Sequence, residues 1–159
     1  MLTYNFTGAA NLGSETAPTG AVTTVGQDIP YGRLRMGIMK SRVDVSKCPT
    51  LSSTDVYEAI LIPKGTKVID AWFYVVTAES GTNAASATLA LGITGGTTDG
   101  FVTAAVCNAV GLHATNASTY TNAGGLTVNT ADTIDLLVAT NAFTNVVVDV
   151  YALVVDLNP

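Results

Sequence analysis

Residues 67–77, KVIDAWFYVVT, constrain the fold of this chain more than any other stretch. They follow the turn Pro63-Lys64-Gly65-Thr66 and hold the chain's only Trp, Trp72, between Ala71 and the aromatic pair Phe73-Tyr74. A run of Val, Ile and aromatic residues bounded by a Pro/Gly turn predicts a strand buried on both faces. Strict alternation puts Val68, Trp72, Tyr74 and Val76 on one side, and Ile69, Ala71, Phe73 and Val75 on the other. Asp70 falls between Val68 and Trp72, where a backbone donor or a basic side chain must satisfy it. One face is expected to pack on the inner faces of residues 133–140 and 146–155. The other is expected to lie under a neighbouring copy or another segment of the chain.

Other segments repeat the alternation. Residues 33–39 read Arg-Leu-Arg-Met-Gly-Ile-Met, which predicts Leu34, Met36 and Ile38 inward and Arg33 and Arg35 outward. A bend at Lys40-Ser41 would let residues 42–45 continue the strand. Further strands are expected at 55–62, 87–94 (Leu89, Leu91 and Ile93 inward), 101–106, 133–140 (Ile134, Leu136 and Val138 inward) and 146–155. Residues 108–122 read as a long polar loop with a weak strand. About eight strands, frequent turn signals and no helical period point to an all-β sandwich of antiparallel strands, jelly-roll-like. An immunoglobulin-like sandwich fits less well, because Cys107 comes too early after Trp72. Residues 31–159 form this domain, and residues 1–30 form an extended, flexible N-terminal arm. The arm is poor in large apolar residues but offers Leu2, Tyr4, Phe6 and Leu12 as anchors.

Charge narrows the function. Only 12% of the residues are charged while 48% are hydrophobic, so partners are expected to cover part of the surface. All seven basic residues lie between positions 33 and 67, a window of net charge +4; the remainder after Lys67 is −7. A basic strand face (Arg33, Arg35, Lys40, Arg42) meeting acidic loops of another copy or partner would use that division. The acidic total, −5, and the absence of aromatics among the bases argue against direct nucleic-acid binding. No apolar run approaches the ~20 residues of a spanning helix, and the N-terminus lacks a secretory pattern, so no membrane role and cytoplasmic assembly are expected. Cys48 and Cys107 then read as two buried free thiols.

Catalytic chemistry finds little to build on. His113 is the single histidine and reads as a solvated loop residue, with no nucleophile elbow to accompany it. Asp132 and Asp135, three apart on a strand, point to opposite faces. No catalytic residue, cofactor or metal site is expected, and the chain is not read as an enzyme.

Two segments carry a family resemblance. Ile62-Pro63-Lys64-Gly65-Thr66-Lys67-Val68-Ile69-Asp70-Ala71-Trp72 resembles an "IP-x-G-T-x-V-x-D-x-W" pattern of small structural proteins of tailed bacteriophages. Ala131-Asp132-Thr133-Ile134-Asp135-Leu136, after a Gly-rich loop, is similar to the "A-D-T-I-x-L" segment before their final strand. Over residues 55–155 the chain thus resembles capsid decoration (cement, head-stabilising) proteins. The resemblance implies a β-sandwich that forms a homotrimer on the capsid surface, assembles in the host cytoplasm and has the major capsid protein as partner. The expected capsid and subunit interface combines the arm (Leu2, Tyr4, Phe6) with the basic face (Arg33, Arg35, Lys40, Arg42). Two other readings stay open: a carbohydrate- or receptor-binding module of a fibre or tail, using the 108–122 loop with Tyr120, and a minor head or neck protein.

Overall fold

A computed structural model describes residues 35–47, 52–121 and 124–157. Among the described residues nine strands run in chain order: β1 (Arg35–Asp44), β2 (Val56–Ile62), β3 (Thr66–Thr77), β4 (Thr88–Ile93), β5 (Val102–Val106), β6 (Gly111–His113), β7 (Leu126–Val128), β8 (Asp132–Thr140) and β9 (Val147–Asp156). Helical geometry among the described residues is confined to one turn at Val45–Lys47 and one at Ser118–Thr121. One sheet has the order β1-β9-β3-β6, with β7 also paired to β3; the other has the order β2-β8-β4-β5. All pairs are antiparallel. The chain passes from sheet to sheet at six of the eight connections between these strands, and the two strand orders are those of a jelly roll and not of an immunoglobulin sandwich. β7 escapes the alternation test because three residues are too few to show a period.

The core forms where the two inner faces meet. Phe73, Phe101, Phe143, Ile62, Leu89, Leu91 and Ile134 are fully buried there or nearly so. Each such side chain stabilises the fold by about 1.5–3 kcal/mol relative to its exposed state. On β8 and β4 the inward residues are those the alternation predicts, Ile134, Leu136, Val138 and Leu89, Leu91, Ile93. On β9, Val148, Val150 and Ala152 line the core. β9, however, is hydrogen-bonded beside β3 along its whole length, so it does not face β3 across the core as expected. β3 instead faces the sheet that contains β8.

β3 opens after Gly65, whose φ of +82° suits glycine as the third residue of the turn closed by Thr66 N–H on the Pro63 carbonyl, 3.2 Å. It does not alternate strictly. Val68 pairs with Val154 and Asp70 with Leu153, leaving Ile69 as the extra residue of a bulge. The bulge reverses the side-chain parity. Thr66 and Val68 are buried before it, and Ala71, Phe73 and Val75 after it. Val68 and Trp72 therefore lie on opposite faces, contrary to the uniform alternation. Asp70 finds its partners at the bulge, accepting from the Ala71 N–H at 2.8 Å and from the Thr115 hydroxyl.

β1 also departs from expectation. It runs without a bend through Lys40-Ser41, and Met39 and Val43, not Met36 and Ile38, turn to the core. Met36 is 69% and Ile38 62% exposed. The register explains the difference: Val43 lies opposite Val148 and Met39 opposite Ala152, both on the inner face of β9. A period of two then sends every even residue of β1 outward.

The loops that follow β3 and precede β9 are fastened by Glu79, a buried carboxylate. Its Oε1 accepts from the Gly81 N–H (2.8 Å) and the Thr144 hydroxyl (2.6 Å), and its Oε2 from the N–H groups of Thr144 (2.9 Å) and Asn145 (3.0 Å). Burial by itself raises its pKa, but these donors outweigh burial and hold the carboxyl below its usual range. Cys107 is a buried free thiol, its pKa pushed up to about 12 by burial. Cys48 lies outside the described residues.

Candidate interaction surface

The outer faces of the two sheets are unlike. Over the middle of the β2-β8-β4-β5 sheet, residues 94–100 fold back across Gly92. A Cβ at Gly92 would come within 2.1 Å of the Thr97 carbonyl oxygen. That loop is pinned by the Ile93 N–H on Thr97 O (3.1 Å) and by the Thr97 N–H on the Tyr120 hydroxyl (2.6 Å). Beneath it Asp135 is fully buried and accepts from the Thr94 hydroxyl, while its Oδ1 has no hydrogen-bond partner among the described residues. Asp132, on the other side of the strand, accepts from the Gly95 N–H at 3.1 Å.

The outer face of the β1-β9-β3-β6 sheet carries large apolar and aromatic side chains with no comparable cover among the described residues. Register sets them out in rows: Met36 beside Val155, Ile38 beside Leu153, Lys40 beside Tyr151 and Trp72, Arg42 beside Asp149, Tyr74 and Leu112. Trp72 and Tyr151 stack with ring centroids 5.7 Å apart and planes 10° from parallel. Leu112 is 59% exposed at the far edge.

A charged cluster sits in this face. Asp149 accepts from Arg42 through both oxygens, at 2.6 and 2.8 Å, in a bidentate pair. The Lys40 ammonium lies 2.8 Å from the same carboxylate and 5.2 Å from the Tyr151 ring centroid. The Asp149 side chain is only 6% exposed, whereas Lys40 and Arg42 are about half exposed. Arg42, then Lys40, holds the Asp149 pKa down at about 2 against the opposing effect of burial. Charges that are far apart in sequence, basic before position 68 and acidic after it, thus meet within one chain. Their hydrogen bonds fix Lys40 and Arg42 in place, leaving two oriented cationic groups amid apolar surface.

Of the residues expected at an interface, Lys40 and Arg42 are brought together on this face. Arg35 opens β1 in register with Asp156. Leu2, Tyr4, Phe6 and Arg33 lie outside the described residues. Alternation missed Met36 and Ile38 as members of this face because the expected bend concealed a simple fact: they share the parity of Lys40 and Arg42. A straight strand puts basic and apolar residues on one side.

Two other expectations change. His113 is not a solvated loop residue. It sits on β6 opposite Phe73, stacked at 4.8 Å, and burial lowers its pKa. Tyr120 is buried against Phe101 with its hydroxyl bound to the Thr97 N–H, so it is not an aromatic available to a sugar. Among the described residues, no three His, Cys, Asp or Glu side chains come together as a metal-binding group.

No protein-family model matches the chain, and no curated protein does. Solved structures do. The chain superposes on one from the capsid of Ralstonia phage GP4 with a TM-score of 0.62, at 15% identity, over 79% of this chain and 86% of that one. It superposes on a chain of the cyanophage Pam1 capsid asymmetric unit with a TM-score of 0.54, at 16% identity, over 79% and 86% respectively. At such identities the likeness is one of fold.

Proposed function

We propose that this chain is a virion structural protein of a tailed bacteriophage: a decoration (cement) protein that stabilises the head by binding adjacent major-capsid subunits from outside. The observation that carries the reading is the outer face of the β1-β9-β3-β6 sheet, a large apolar surface with oriented cations on a rigid jelly roll. Its fold is shared with chains from two phage capsid structures, and that supports placing this surface in a shell. In this reading the protein has no catalytic role, acts as a homotrimer and joins the particle in the host cytoplasm.

Size supports the use of more than one contact element. Four strands at ~4.8 Å spacing and ten residues at ~3.3 Å rise give the face about 600 Å². A standard interface takes ~800 Å² from each partner. The face alone falls short, and the arm (Leu2, Tyr4, Phe6) with Arg33 and Arg35 would supply the rest. Closed symmetry is the usual outcome for such a domain, and three copies around an axis would place three faces on neighbouring capsid subunits.

Electron cryomicroscopy of the particle tests this directly. The expected result is sandwich-sized density in groups of three on the outer surface of the head. Density confined to the tail, fibre or neck would sink the decoration role.

A further inference from the structure

We propose that in the free protein the outer face of the β1-β9-β3-β6 sheet is covered by the chain's own N-terminal segment, through Leu2, Tyr4 and Phe6. The inference concerns the isolated protein and does not depend on the capsid reading.

The face asks for cover. Met36, Ile38 and Leu112 are more than half exposed, and they surround the Trp72–Tyr151 stack with Leu153 and Val155 between them. Apolar patches of this extent are seldom left bare on a monomer. Three properties of residues 1–34 fit them to it. In Leu2-Thr3-Tyr4-Asn5-Phe6-Thr7 apolar and polar residues alternate, so an extended segment has one apolar side to lay on a sheet. Residues 1–32 contain no Lys or Arg and two acids, Glu15 and Asp28, whereas the face carries Lys40, Arg42 and Lys67, and its acids are engaged: Asp149 by Arg42 and Lys40, Asp70 by Thr115 and Asp44 by Lys47. The segment also joins the sandwich at the right place. It enters β1 at Arg35, opposite Asp156, at one corner of this same sheet.

Reach is ample. The 28 residues between Phe6 and Arg35 span about 90 Å when extended, against about 33 Å for the length of the face. A tethered segment of this kind is present at an effective concentration in the millimolar range, above that of a second copy in dilute solution. That difference selects the chain's own segment over its neighbour's. On a particle, a shell subunit would compete with Leu2, Tyr4 and Phe6 for the same aromatic surface.

Trp72 is the chain's only tryptophan and lies on the face, so its fluorescence reports occupancy without a label. The full-length protein is compared with the full-length L2S/Y4S/F6S variant and with T3S/N5S, altered on the other side of the segment. In the triple variant the Trp72 emission maximum shifts to longer wavelength and acrylamide quenching rises severalfold, equally at every protein concentration. T3S/N5S keeps the wild-type spectrum. Circular dichroism shows the sandwich intact in all three, since the changed residues precede it. Identical emission and quenching in the wild-type protein and L2S/Y4S/F6S overturns the proposal. So does a wild-type spectrum that reverts on dilution, which would assign the cover to a second copy, and so does an equal shift in T3S/N5S.

Discussion

Asp149 shows how a single residue can belong to a fold and to a surface together. It is an acid in the middle of a valine-rich strand, nearly buried, and it survives there because Arg42 and Lys40 supply three short contacts. Its pKa near 2 in the folded state lies below the usual ~3.9 of the unfolded chain. Stability from this group is therefore present above about pH 4 and is lost as pH falls through 2. We expect Asp149→Asn to lower stability at pH 7 by about 1–2 kcal/mol, a figure discounted because both cations are half exposed. The same substitution flattens the loss of stability between pH 4 and pH 2. Thermal unfolding across that range measures both effects. In the sequence Asp149 is simply an acid inside an apolar run; its partners stand more than a hundred positions away and become visible with the β1–β9 register.

Elements, not residues, decide which faces are covered. The bulge at Ile69 is one device: by adding a residue to β3 it turns Phe73 into the core and Trp72 out of it. A second is Gly92 on β4, where the missing side chain lets the 94–100 loop lie against the sheet and roof over Asp135. Gly92→Ala would push a methyl into the backbone at Thr97 and Thr98, at a cost of about 1–3 kcal/mol. We expect it to speed amide exchange at Ile93 and Thr97 well beyond the rest of β4, as hydrogen-exchange mass spectrometry would show. Equal protection in the variant and the parent would mean the loop does not rest on that contact. Neither device is legible from alternation. A bulge requires the partner strand's register, and a Gly-rich stretch looks the same whether it packs or merely turns.

At the scale of the whole molecule, the jelly roll leaves one face roofed by its own loop and the other, aromatic, without such a roof among the described residues. That asymmetry generates a third prediction. Ile38 is 62% exposed, so Ile38→Asp should change folding stability by no more than about 0.5 kcal/mol. It places an unpaired carboxylate at the centre of the surface proposed for capsid binding, and burying it there costs several kcal/mol. Particles assembled with this variant should lose their coat while the free protein melts normally. Undiminished coating would show that the shell contacts another face.

By itself the sequence determined the all-β class, the jelly-roll-like sandwich, the inner faces of β4, β8 and β9 and the importance of the stretch around Trp72. These follow from a period of two in strands long enough to show it, and from turns whose glycines and prolines act locally. Only the tertiary structure decided that β9 lies beside β3, that β3 changes parity at Ile69, and that Met36 and Ile38 join Lys40 and Arg42 outside. Each of those depends on register between segments distant in the chain. A slip of one residue exchanges the two faces of a strand while leaving its own sequence pattern unchanged.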